Sequence, residues 1–279
     1  MEARLILAVT SLAVAGYTLV TSLDFSFGSR SSSSSADDDT SEAIVINCTA
    51  NDKTVDKVAL AEEDVCRALV LSGGGSNGAW EAGVIYGLSN YGDPNDFAYD
   101  VITGVSAGSL NSSILSAYEP GDERAFAQYA SEQYRSLGTQ DVWKDWAIGG
   151  KVEGLTLRSG VVNNAPLSKT LKNLLEPFDS FKRRVTISAT NVNEGIYTEF
   201  DQTNITFDQV ADAAVASASI PGVFPPFHWE DGRIFMDGMA IYNLNIEAAV
   251  RQCMDVVDDE SKIIMDVLLC GSNAAPSEE

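Results

Sequence analysis

The chain reads as an α/β protein built around a central, mostly parallel sheet. Three observations predict this. Short apolar runs alternate with helical stretches through most of the length. The runs are near-continuously apolar, as strands covered on both faces are. Two of them end in glycine-bearing turns that lead straight into helices. With 279 residues, 45% of them apolar, the chain is long enough for one large domain with a substantial core.

The elements follow in order. Leu5 to Val20 is apolar apart from small residues and a tyrosine, with Arg4 before it and Ala13-Val14-Ala15 offering small residues for cleavage. Residues 1–23 therefore read as a signal peptide, and an uncleaved signal anchor fits the same composition. Either one implies a secreted protein or one of the endomembrane lumen or membrane. Residues 24–43 read as a disordered linker. Ser31 to Ser35 is an unbroken serine run followed by Asp37-Asp38-Asp39, which has nothing to bury.

The folded domain spans 44–279. Arg67 to Ser72 is a strand ending in a glycine run, and Gly78 to Leu88 is a helix. Tyr99 to Gly104 is a strand and Ala107 to Tyr118 a helix. Val185 to Thr190 is a strand. Thr206-Phe207-Asp208-Gln209 has the capping-box form for a helix reaching about Ser219. Phe227 to Met236 is a hairpin turning at Asp231-Gly232, and Ile263 to Leu269 is a last buried strand.

Charge excludes some functions. A net charge of -22, from 40 acidic and 18 basic residues, argues against nucleic acid and strongly anionic membranes as partners. Lys182-Arg183-Arg184 is the sole basic triplet. Four cysteines (Cys48, Cys66, Cys253 and Cys270) suit an oxidising compartment, and their spacing is wrong for a compact zinc site. The pairing local in sequence is Cys48–Cys66 with Cys253–Cys270; four free buried thiols is the alternative. Of three sequons, Asn204 in a polar stretch between a strand and a helix and Asn47 in the N-terminal leader are open to glycosylation. Asn111 falls on a helix packed against the sheet and should stay unmodified.

Three motifs carry chemistry. Gly73-Gly74-Gly75-Ser76-Asn77-Gly78 joins a strand to a helix, a place where bare backbone N–H groups form an anion site. It lacks the Gly-Lys-Ser/Thr of a Walker loop, and it matches the dinucleotide pattern only loosely. Gly104-Val105-Ser106-Ala107-Gly108 is a nucleophile elbow in its required strand–turn–helix context. Serine is a weak nucleophile at neutral pH and needs a base. The third motif, Asp237-Gly238, ends a hairpin strand, where an ordinary turn would read the same way.

With the stretch Ala216-Ser217-Ala218-Ser219-Ile220-Pro221-Gly222-Val223-Phe224-Pro225-Pro226 between the last two, the chain resembles the patatin-like phospholipases from about Ala68 to Leu269. The resemblance implies a patatin-like three-layer sandwich and a Ser–Asp dyad of Ser106 and Asp237. It implies an oxyanion hole from the backbone of Gly73, Gly74 and Gly75. It also implies hydrolysis of fatty-acyl esters of lipids, phospholipids or galactolipids, at a membrane or micelle surface, without metal or cofactor. No oligomeric state follows from it. Three residues depart from the family pattern: Asn77 in place of a basic residue, Met239 where a small residue is usual, and Asn245 in place of a proline.

One histidine, His228, occurs in the whole chain. With a two-residue loop at Asp231-Gly232 it pairs with Phe235 and shares a strand face with Asp237. The diagonal separation is then about 7–8 Å. A Ser106–His228–Asp237 triad therefore stays open beside a strand histidine flanked by Phe227 and Trp229. A lipid-binding or storage protein without catalysis, on the same scaffold, is the other alternative.

Overall fold

Cys66–Leu71 is apolar apart from Arg67, and in the computed structural model of the chain it is a fully buried strand at the centre of one sheet. The structure describes residues 2–7, 22–25 and 65–270. The linker beyond residue 25, the sequon at Asn47 and Cys48 lie outside the described residues, as does most of the expected leader.

Strands are β1 (Glu2–Leu7), β2 (Ser22–Phe25), β3 (Cys66–Leu71), β4 (Val101–Val105), β5 (Arg184–Asn191), β6 (Ile196–Asp201), β7 (Phe227–His228), β8 (Ile234–Asp237) and β9 (Ile263–Leu269). Five run parallel in the order β1, β9, β3, β4, β5, with β2 antiparallel outside β1. The fold is therefore the expected α/β sandwich with a mostly parallel sheet. On β5, β4 takes one edge opposite Arg184 to Ser188, and β6 takes the other. Antiparallel β8 pairs with Ala189 to Asn191, past the end of β4 and on β4's side of β5. β7 closes the hairpin on β8.

Helices are α1 (Gly78–Tyr91), α2 (Ala107–Leu115), α3 (Glu123–Ser136), α4 (Thr139–Val142), α5 (Gly150–Leu157), α6 (Ala165–Leu175), α7 (Val210–Ser217) and α8 (Ile246–Met254). α1, α2, α3, α6 and α7 share a core with the sheet face of Leu69, Leu71, Ile102 and Ile187. The opposite face, with Ala68, Val70, Val101, Met265 and Val267, is covered by α8 through Ala249 and Cys253. The sheet is thus sandwiched, as alternating strands and helices require.

In the basic triplet, Arg183 pairs with Glu123 in the interior and donates to the carbonyls of Tyr118, Tyr99 and Glu119, and Arg184 pairs with Asp255. One expectation is corrected: the sequence-local disulfides do not form. Cys66 bonds Cys253, with Cα atoms 5.5 Å apart across 187 residues, and Cys270 is a free, buried thiol. The parallel crossover sets α8 down against the start of β3, so proximity in the fold overrides proximity in the chain.

Candidate active site

β4 stops at Val105, opposite Ser188, and the chain turns sharply into α2 at Ser106. Ser106 takes φ 52°, a left-handed value that a non-glycine residue adopts only where its surroundings enforce it. Close packing enforces it here. A side chain at Gly108 would come within 2.6 Å of the Leu71 carbonyl oxygen, and one at Gly104 would collide with the Gly108 carbonyl. The Ser106 N–H donates to Ser217 Oγ at 2.8 Å, and that hydroxyl donates to the Ser188 carbonyl at 2.6 Å. Ser106 is buried and lines a cavity.

Asp237 reaches the same point from the other direction. It is the last residue of β8 and pairs with Ala189, the residue after the one opposite Val105. Where β4 ends and β8 begins on one edge of β5, the two motif residues meet. Gly238 packs over the junction: a Cβ there would lie 2.5 Å from the Ser188 carbonyl oxygen and 3.0 Å from Val105 Cγ1. The Asp237 N–H donates to the Ser219 carbonyl at 2.9 Å. The Ser217–Ser219 stretch at the end of α7 therefore holds both residues.

The Asp237 carboxyl is fully buried. Oδ1 accepts the Met239 N–H at 2.9 Å, while Oδ2 has no partner that meets hydrogen-bond geometry. Burial raises its pKa above the ordinary carboxylate value, against the opposing pull of the Ser106 hydroxyl and the Met239 N–H. Oδ2 therefore keeps a vacant acceptor position close to the strand junction that leads into Ser106. The Met239 side chain is 50% exposed and adds no bulk against Asp237; its contribution is the backbone N–H.

The three loop glycines divide. The Gly73 N–H is taken by Asn243 Oδ1 at 3.0 Å, and Asn243 Nδ2 returns a bond to the Gly73 carbonyl at 3.1 Å. The Gly73 N–H is thus engaged by Asn243, and Gly73 forms the clamped base of the loop. The N–H groups of Gly74 and Gly75 have no acceptor among the described residues. Gly75 has φ 57°, with open space where a side chain would be, and it lines the Ser106 cavity. Asn243 is a site residue that the sequence reading passed over; its place after Asp-Gly was the available signal.

Behind the loop lies a buried polar cluster. Asn111 donates to the Gly78 carbonyl and to Glu81, both at 2.9 Å, and accepts from the Tyr134 hydroxyl at 3.0 Å. The Cys270 thiol donates to Glu81 at 3.3 Å. Asn111 is wholly enclosed, whereas Asn204 sits exposed in the turn after β6. Asn245 caps α8 through Ala248 and donates to Ser188 Oγ at 2.9 Å, which a proline there could not do.

From Ser106 a cavity of about 640 Å³ extends between α2, α3, α4 and α6. Leu110, Ile114, Leu137, Leu171, Leu174 and Phe224 make its walls mainly apolar. Trp143 lines it, whereas Trp146 is fixed by donating Nε1–H to the Gly160 carbonyl at 3.0 Å. A smaller depression of about 420 Å³ between Asn204, Trp229 and Arg233 does not include Ser106.

His228 is not part of this site. The hairpin pairs Phe227 with Phe235 and His228 with Ile234. Trp229 then bonds Arg233, leaving a three-residue loop, Glu230 to Gly232, with Gly232 at φ 90°. The expected two-residue loop is one residue too short, and a slip of one residue moves a side chain to the other face. His228 is exposed on the face opposite Asp237, so the triad alternative falls.

Elbow, buried carboxylate, glycine loop and apolar cavity together define an α/β protein equipped like a serine acyl hydrolase. The family model for patatin-like phospholipases matches residues 69–250, and the chain belongs to that family. Among solved structures, VipD from Legionella pneumophila aligns at a TM-score of 0.41 with 14% identity, over 74% of this chain. The alignment covers 50% of the VipD chain. No curated protein sequence matches the chain.

Proposed function

We propose that the protein is a lipid acyl hydrolase of the phospholipase A or esterase type, acting on phospholipids or galactolipids through a Ser106 acyl-enzyme. The observation that carries this reading is the open Oδ2 of buried Asp237 at the strand junction beside Ser106, which lines an apolar cavity. Asp237 takes the hydroxyl proton as Ser106 Oγ attacks the ester carbonyl. The proton then passes to the departing alcohol oxygen. Water attacks the acyl-enzyme, again losing its proton to Asp237, which hands it to the departing Ser106 oxygen as the fatty acid leaves. Desolvation makes Asp237 a stronger base than an exposed carboxylate. Gly74 and Gly75 donate to the oxyanion, and losing one such donor costs about 3 kcal/mol. The cavity takes the acyl chain.

The test is fatty-acid release from a defined panel of phospho- and galactolipids, with fluorophosphonate labelling alongside. Wild type should release fatty acid and label; Ser106→Ala should do neither. Asp237→Asn should lose nearly all turnover, and His228→Ala should keep most of it. Labelling of Ser106→Ala, or loss of turnover in His228→Ala with retention in Asp237→Asn, would overturn the dyad.

A further inference from the structure

Between two walls of the cavity the chain makes an excursion whose surface differs from the rest of the molecule. It leaves at Val142 and Trp143, both cavity residues, and returns at Gly160 to Val162. There Gly160 bridges Gly222, and the Val162 N–H donates to the Val223 carbonyl at 3.0 Å, next to cavity-lining Phe224. The excursion therefore borders the cavity at both ends.

It is also ordered from within. The Glu153 carboxylate accepts from the Ile148 and Gly149 N–H groups at 3.2 and 3.0 Å and pairs with Arg158 at 2.9 Å. The Arg158 guanidinium lies 5.3 Å from the Trp146 ring centroid. A Cβ on Gly154 would sit 2.5 Å from the Val161 carbonyl oxygen, so that face of α5 is pressed onto the returning chain. Val152, two residues back and about 200° round the helix, points away from it.

What this scaffold presents to water is apolar. Ile148 is 93% exposed, Leu157 78% and Val152 70%, the three most exposed large hydrophobic side chains among the described residues. Between Lys144 and Arg158 the chain carries three basic residues (Lys144, Lys151, Arg158) against two acidic ones (Asp145, Glu153), in a protein of net charge -22. Held apolar groups flanked by lysines match an interface of acyl chains under headgroup phosphates.

We infer that residues 144–158 are the lipid-docking face: Ile148, Val152 and Leu157 enter a zwitterionic bilayer surface, Lys144 and Lys151 meet headgroup phosphates, and the cavity mouth is thereby set against the membrane. The choice of a lipid occupant rests on the acyl-hydrolase reading. Acidity elsewhere on the chain makes the surface zwitterionic rather than anionic.

The test uses the full chain with phosphatidylcholine vesicles. In flotation, the Ser106→Ala form should bind. The same form carrying Ile148→Asp and Val152→Asp should bind about tenfold more weakly or worse, as expected when two aliphatic side chains no longer bury in the interface. With Ser106 intact, the double aspartate variant should hydrolyse vesicle lipid at a rate reduced in the same ratio. A dispersed short-chain ester should be turned over at the wild-type rate, which also shows that the variant is folded. Equal flotation of the two forms, or stronger binding to anionic than to zwitterionic vesicles, would overturn the inference. So would a double variant that binds vesicles normally but changes in gel filtration from dimer to monomer, since the face would then belong to a second copy. A wild type that floats but hydrolyses neither substrate removes the hydrolase and leaves the docking face. A wild type that hydrolyses both, matched by the double variant, does the reverse.

Discussion

Glu81 has no exposed surface and forms no ion pair among the described residues. Its neighbours are the Asn111 amide, the Cys270 thiol and, through Asn111, the Tyr134 hydroxyl. Burial pushes its pKa from the ordinary 4.5 to about 8, and the two hydrogen bonds pull back only in part. The same burial raises the Cys270 thiol and the Tyr134 phenol, so near neutral pH the cluster under the glycine loop is uncharged. A carboxyl whose folded pKa is raised binds protons more tightly in the folded state. Its contribution is therefore fully present below pH 4.5 and is lost as pH rises toward about 8. Glu81→Gln removes that titration and keeps a similar shape. Wild type should lose stability relative to Glu81→Gln by a few kcal/mol across this window, followed as urea midpoints at several pH values. Parallel pH profiles of the two proteins would refute the buried neutral acid.

At the scale of elements, the end of α7 matters more to the site than the helix that carries Ser106. Ser217 accepts the Ser106 N–H and passes a hydrogen bond to β5; Ser219 accepts the Asp237 N–H. Ser217→Ala leaves a buried N–H without a partner, a penalty of about 1–3 kcal/mol that falls on the elbow. The expected result is a kcat reduced about tenfold or more with KM nearly constant, because the cavity wall is untouched. A change confined to KM would show that Ser217 does not position the nucleophile. The motif elements were legible because each carries an absolute local demand: glycines where backbones touch, and a serine that must sit at positive φ. α3 and α8 were not: both are amphipathic, but their buried stripes hold small or polar residues such as Ala127, Ala130, Ala248 and Gln252, so no run of large apolar side chains marks them. α6 has the clearer spacing of Leu167, Leu171 and Leu175, a usable signal. The hairpin register turned on one loop residue, which Asp231-Gly232 alone does not specify.

For the whole molecule, the two faces of the sheet are unequally covered. Five helices pack on one; on the other α8 stands alone among the described helices, over β3 and β4. The Cys66–Cys253 disulfide fastens that helix to the first residue of β3. Its partners are far apart in the chain because the sheet is assembled by crossovers, and for the same reason the pairing could not be read from spacing. α8 also follows Asn243 and Asn245, which clamp Gly73 and bond Ser188, so the fastened face supports the site from below. Closing so long a loop restricts the unfolded chain strongly, and opening it should cost about 2–4 kcal/mol. The urea midpoint of wild type should therefore drop in reductant, while a Cys66→Ala, Cys253→Ala variant starts from the lower midpoint and ignores reductant. Buried Cys270 should resist thiol reagents until the protein unfolds in either form. If α8 is the weaker layer, hydrogen exchange in the reduced protein should rise first over residues 246–254 and leave α1 and α2 protected. Uniform loss of protection over both faces would mean that the disulfide stabilises the domain as one unit, with no separate role for α8 beneath the site.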